Sequence, residues 1–266
     1  MAFLKSLFAP VDMTEGTPWK KIVAFAVPML IGNIAQQLYN TVDTIVVGKY
    51  VGDNALSAVG SAGPILNMLL VLFIGISAGA SIMVSQYFGA KNREALSQTI
   101  GNCITVTAIA CLILILGASP FIRPALAALN TPESILDWCA DYLMICLIGI
   151  AGLGYYNILS GVIRGLGDSF SALIYLLVAT VINIVLDLLF VAGFNMGVAG
   201  VALATVIAQI VSSLLCLLKL ARMREYFDFG WKYLIPKSEY VKTIIRLGLP
   251  SGLTQAIFTS AMIIVQ

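Results

Sequence analysis

The sequence predicts an all-α membrane protein, a bundle of six transmembrane helices followed by the start of a seventh. Three observations predict it. Hydrophobic residues make up 60% of the 266-residue chain and charged residues 11%, whereas a soluble domain carries about 25% charged residues to cover its surface. Mean hydropathy is +0.98. The apolar residues also fall into runs near 22–47, 56–87, 100–122, 134–158, 171–193 and 197–220, the length that a bilayer core roughly 30 Å thick demands of a helix. Runs of this length exclude strands, and backbone groups in lipid must be satisfied within the segment, so each run is expected to be a helix.

The first run contains Pro28, Asn33, Gln36 and Gln37. It is too long for a signal-peptide core and no small-residue cleavage pattern follows it, so it is expected to be retained as the first span. The second contains Gly75-x3-Gly79, a spacing that lets helix backbones approach where lipid gives no hydrophobic drive for association. The fourth holds Asp141, Tyr142 and Asn157, the fifth Asn183 and Asp187, and the sixth Thr205. Gly165-Leu-Gly167, between the fourth and fifth, is not a dinucleotide fingerprint, because no strand precedes it and Phe170 stands where the third glycine belongs. Residues 1–221 are thus expected to form one six-helix lobe and 222–243, charged, aromatic and carrying Pro236, a cytoplasmic linker. Residues 244–266 are expected to begin a second, truncated lobe from Ile244. The run Arg246-Leu-Gly-Leu-Pro250 echoes Phe25-Ala-Val-Pro28, and an even number of spans makes such a repeat parallel to the first.

All Lys and Arg residues except Lys49 and Arg123 fall on one set of span ends, Lys5, Lys20 and Lys21 among them. Positively charged short loops stay cytoplasmic, which predicts a multi-pass protein of the cell membrane with its N-terminus on the cytoplasmic side. A net charge of +2, spread over loops, gives no nucleic-acid surface. The five cysteines, Cys103, Cys111, Cys139, Cys146 and Cys216, lie in or at the edge of spans without CxxC spacing and are expected to pack as small apolar residues. The chain has no histidine, which removes His-based zinc sites, catalytic triads and histidine relays. With no nucleophile beside a base and no phosphate loop, an enzyme is not expected. Ion handling falls to carboxylates.

Acidic side chains inside a span cost on the order of 2.5–3.5 kcal/mol even on a lenient scale, so they mark function by default. Asp43 lies about four residues, or roughly 6 Å, inside the outer end of the first span, and Asp187 is at a similar depth in the fifth. Asn183 precedes Asp187 by one turn and shares its face. Thr205, about 12 Å down the sixth span, and Tyr142 in the outer part of the fourth are at comparable depth, whereas Asn157 is much deeper. Depth groups Asp43, Tyr142, Asn183, Asp187 and Thr205 around one cation, a proton or Na⁺, because two desolvated carboxylates without a counter-charge resist joint ionisation. Pro28 offers a place for the first helix to bend.

Val27-Pro28 through Val42-Asp43 with Val47-Gly48 behind, Tyr87-Phe88-Gly89-Ala90-Lys91, Asn157 with Arg164-Gly-Leu-Gly-Asp168, and Asn183-x3-Asp187 are the stretches by which the chain resembles the multidrug and toxic compound extrusion (MATE) transporters. The resemblance is to their DinF-type branch in particular and covers the whole chain. It implies one lobe of a twelve-helix antiporter, in which H⁺ or Na⁺ entering from outside drives expulsion of amphipathic, often cationic compounds. Carried over by position, Asp43, Asn183, Asp187, Thr205 and Tyr142 form the coupling site, with Na⁺ as the possible metal at the first four. Pro28 is the kink, and Gln36 and Asn157 line the substrate path. No cofactor beyond the coupling ion is implied. The partners are small-molecule substrates, membrane lipid and the missing C-terminal lobe. A lipid-linked sugar flippase of the same broad superfamily and a non-transporting membrane fragment are the competing readings. The absence of Lys and Arg from mid-span favours drug export over the flippase.

Overall fold

A computed structural model describes residues 17–265. Residues 1–16, including Lys5, and Gln266 lie outside the described residues. The elements are α1 (Pro18–Tyr50), α2 (Asp53–Gly89), α3 (Arg93–Ala118), a 3-10 turn (Ser119–Phe121), α4 (Ile122–Ala128), α5 (Glu133–Ile148), α6 (Ile150–Gly165) and α7 (Ser169–Asp187). A π-helical stretch (Leu188–Gly193) continues α7, followed by α8 (Gly197–Arg222), the short α9 (Trp231–Leu234) and α10 (Ser238–Val265). There is no strand among the described residues.

Five helices are long and apolar enough to cross a membrane. α5 and α6, bent by 52° where they meet, make a sixth crossing if taken as one span. The six-span bundle predicted from hydropathy is therefore present, with its fourth span broken. The break falls at Gly149, where a Cβ would run into the side chain of Val206 on α8. Missing bulk lets the neighbouring helix wedge into the corner. The third span continues beyond 122 through Ser119-Pro120 into α4, and the seventh helix starts at Ser238 rather than near Ile244, because Ser238 and Glu239 suit a polar first turn below the apolar part.

Local chemistry fixes the helix ends. Asn92 caps α3, its side chain accepting from Ala95 N at 3.1 Å. Asp168 caps α7, accepting from Ser171 N at 2.8 Å and from Ser171 Oγ at 2.6 Å, and it pairs with Lys219 Nζ at 2.9 Å. Lys219 and Arg222 stand in the last turn of α8, where positive charge suits the helix dipole.

α2 is the hub of the bundle, packed against α3, α5, α6 and α10, while α7 lies between α1 and α8. Phe73, Met83, Ile100, Leu143, Leu147 and Ile158 fill the interior. Leu30, Leu38, Leu112, Leu116 and Ile257 point outward, as helices apolar all round do when lipid is the solvent. The α2 to α10 seam is backbone on backbone. A Cβ at Gly79 would collide with the Ile244 carbonyl, and one at Gly248 with the Gly75 carbonyl. The Gly75-x3-Gly79 spacing thus serves close packing, against a helix that comes after the linker.

That linker is bound to α3 along its length. Arg93 takes Asp228 in a two-pronged ion pair, Nε to Oδ2 at 3.1 Å and Nη2 to Oδ1 at 2.8 Å, and donates to the carbonyls of Arg224 and Glu225. Further along, Ser97 Oγ accepts from Asp228 N at 2.8 Å and Asn102 Oδ1 from Lys237 N at 2.7 Å. Thr105 donates to Leu234 O at 2.6 Å. Tyr233 donates to Glu94 at 2.9 Å.

Candidate functional site

α7 presents Asn183 and Asp187 on one face, one turn apart, and both are fully buried. α1 brings Asp43 to them and, one turn before it on the same face, the buried Tyr39. Thr205 arrives from α8 and Tyr142 from α5, each nearly buried. With its amide nitrogen turned to the carboxylates, Asn183 donates to Asp43 Oδ1 at 2.6 Å and to Asp187 Oδ2 at 3.2 Å. The other end of the amide lies 3.5 Å from the Thr205 hydroxyl. The two carboxyl groups are within hydrogen-bonding reach of each other, the Tyr39 phenol reaches Thr205, and Tyr142 reaches Cys146.

With both carboxylates ionised, Asp187 Oδ1 is buried without a donor, and among the described residues no Lys or Arg forms an ion pair with either acid. Two negative charges at about 4 Å repel by about 4 kcal/mol even at an effective dielectric of 20. One Asn amide does not offset that. The oxygens of the two acids and of Thr205 could hold a shared proton or a monovalent cation. Among the described residues there is no grouping of three or more His, Cys, Asp or Glu that could hold a metal, and two acids with neutral oxygens suit a singly charged hard cation.

The five residues grouped by depth in the sequence therefore meet in one cluster. Sequence reading missed Tyr39, although its spacing of four from Asp43 was a usable signal, and it missed Cys146, one turn after Tyr142. Gln36 and Asn157 stand apart from the cluster. Together with Pro28 they line a separate cavity of about 230 Å³, shared with Tyr156, Ser160 and Arg164. Asn157 is held there by its Nδ2 bond to Leu153 O at 2.8 Å, and its carbonyl accepts from Ser77 and Ser160. Gln209, one turn beyond Thr205 on α8, also went unnoticed. It is buried, and its Oε1 has no donor.

The fold is that of a multi-pass, all-α membrane protein with an acid pair between its spans. The MatE family profile matches residues 28–189, and the chain belongs to that family. It is 31% identical over 254 residues to the "Probable multidrug resistance protein YoeA" of Bacillus subtilis, covering 93% of this chain and 55% of that protein. It is 26% identical to the "Probable multidrug resistance protein NorM" of Thermotoga maritima, covering 92% and 53%. Among solved structures, an outward-facing "multidrug resistance MATE family transporter of the MOP superfamily" superposes with a TM-score of 0.88 at 30% identity, over 95% of this chain and 56% of that one. A "MOP superfamily transporter from Pyrococcus furiosus", described as having reverse polarity of its binding pocket, gives the same TM-score at 29% identity. The chain spans about half the length of the curated relatives it matches. Both of these solved structures are of transporters.

Proposed function

We propose that this chain is the N-terminal, ion-coupling lobe of a DinF-type antiporter that exports amphipathic, often cationic compounds in exchange for H⁺ or Na⁺. The protein sits in the cell membrane with its N-terminus cytoplasmic, and a second lobe completes the substrate cavity. The observation that supports this reading best is Asn183 bridging Asp43 and Asp187 in a buried site without a basic partner among the described residues. An intramembrane acid pair of that kind stores the difference between a charged and a neutral state, which is what coupling needs. Gain or loss of the cation alters the contacts between α1, α7 and α8, and Pro28 lets α1 answer by bending. Broad recognition of lipophilic substrates fits a large apolar cavity with few polar contacts.

The test is made in the chain joined to its second lobe. Asp43→Asn and Asp187→Asn are expected to abolish export while membrane insertion and yield stay normal. Undiminished drug resistance in both variants would overturn the assignment.

A further inference from the structure

The cavity at the inner end of the bundle holds a charge that the acidic cluster does not use. Arg164, in the last turn of α6, lines this space, and among the described residues no carboxylate forms an ion pair with its guanidinium. The acid nearest in sequence, Asp168, is engaged by Ser171 and by Lys219. The other polar residues around the cavity, Asn33, Gln36, Tyr156, Asn157, Ser160 and Ser169, carry no carboxylate. Ser169, the first residue of α7, opens onto the same space.

A guanidinium drawn away from water without a counter-charge is costly, and its planar fork matches the two oxygens of a carboxylate or phosphate. The cavity volume, about 230 Å³, lies below the roughly 300–1,000 Å³ of a pocket that encloses a drug-sized ligand. It suits a head group, with the rest of the molecule outside. Met29, Leu173 and Leu176 supply an apolar wall beside the charge.

We propose that Arg164 makes this cavity a subsite for the anionic head, carboxylate or phosphate, of an amphipathic molecule whose apolar body lies against Met29, Leu173 and Leu176. Its role in transport rests on the reading above, but its binding chemistry does not. The charge class it selects is opposite to that of lipophilic cations.

Thermal unfolding of the purified chain in detergent tests this with four probes: benzoate, the uncharged benzamide of the same shape, dihexanoyl phosphatidic acid and zwitterionic dihexanoyl phosphatidylcholine. At least one anion is expected to raise the unfolding temperature and its neutral or zwitterionic counterpart to leave it unchanged. A shift from benzoate alone identifies the carboxylate end of a substrate, and one from phosphatidic acid alone a lipid head. Arg164→Gln should abolish the shift, and Arg164→Lys, which keeps the charge but loses the fork, should weaken apparent affinity about tenfold. Should Arg164→Gln not fold, the Arg164→Lys weakening and the benzamide comparison decide. Equal shifts from charged and uncharged probes, no shift from either anion, or an anion shift that survives removal of the guanidinium overturns the proposal. Na⁺ dependence is read in a separate titration, so failure of ion coupling at Asp187 and failure of anion binding at Arg164 are told apart.

Discussion

Asn183 links Asp43 to Asp187, donating to one carboxylate at 2.6 Å and to the other at 3.2 Å. Two spans distant in sequence, α1 and α7, are thereby tied through a single amide. Replacing Asn183 with Leu removes the donor and leaves two acids facing each other. The expected outcome is loss of any Na⁺-dependent rise in the unfolding temperature of the purified chain, with Asp187→Asn giving the same loss. Ligand bound only by the folded state stabilises it by about 2.7 kcal/mol at 100 times its Kd, which is large enough to read. A Na⁺ response unchanged in both variants would refute the cluster as an ion site.

Tyr39 reaches Thr205 from α1. Tyr39→Phe keeps the ring and removes the hydroxyl, so the expected cost is about 1 kcal/mol, that of one net hydrogen bond. The Na⁺ concentration for half-maximal stabilisation should rise as well, because Thr205 is no longer oriented. Thermal titration with and without Na⁺ separates the two effects.

Lys219 and Asp168 form an ion pair in which the carboxylate is fully shielded. Lys219→Met leaves that charge without its partner, and the expected loss is about 3–5 kcal/mol. Adding Asp168→Asn, which keeps a capping side chain at the start of α7, should recover most of it. Denaturation of the single and double variants provides the measurement.

Gly79 meets the Ile244 carbonyl, and backbone cannot step aside as a side chain can. Gly79→Val is expected to cost about 1–3 kcal/mol or more through overpacking and to loosen α10 from α2. Gly63→Ala is the control, since nothing lies within 4 Å of a Cβ there. Melting temperature together with proteolysis of the 238–265 helix reads both.

Hydrogen bonding to Arg93 holds the Asp228 carboxyl below the usual carboxylate range. A group depressed in the folded state contributes its stability above its unfolded pKa, about 3.9 for Asp, and loses it as pH falls through the lower folded value. Between pH 7 and pH 5 the linker should therefore stay equally protected from hydrogen exchange. Arg93→Ala should speed exchange over 224–235 already at pH 7, while global stability changes little because the pair is exposed.

The spans were legible because bilayer thickness sets a length that composition alone reveals. The five cluster residues were legible because acids in a span are rare and their depth can be counted at 1.5 Å per residue. The break at Gly149 was not, since Leu147-Ile-Gly-Ile-Ala-Gly-Leu153 reads as one apolar run and the cause is Val206, far away in sequence. Tyr39 was passed over because an aromatic residue in an apolar helix ordinarily fills space. The binding of the linker to α3 was hidden for another reason. Its acceptors are largely loop carbonyls, which no side-chain pattern announces, although Ser97, Gln98, Asn102 and Thr105 did mark a polar strip on the third span.

The same strip shortens the free connection between the sixth crossing and the seventh helix. A loop of this length left free would act as a slack tether, and α10 would be held to the bundle through helix packing alone, chiefly on α2. Fastened from Arg93 to Thr105, it has almost no slack to give. The joint shrinks to the few residues around Pro236, whose φ is fixed by its ring. The connection into α10 is thus a short, fastened joint rather than a free string.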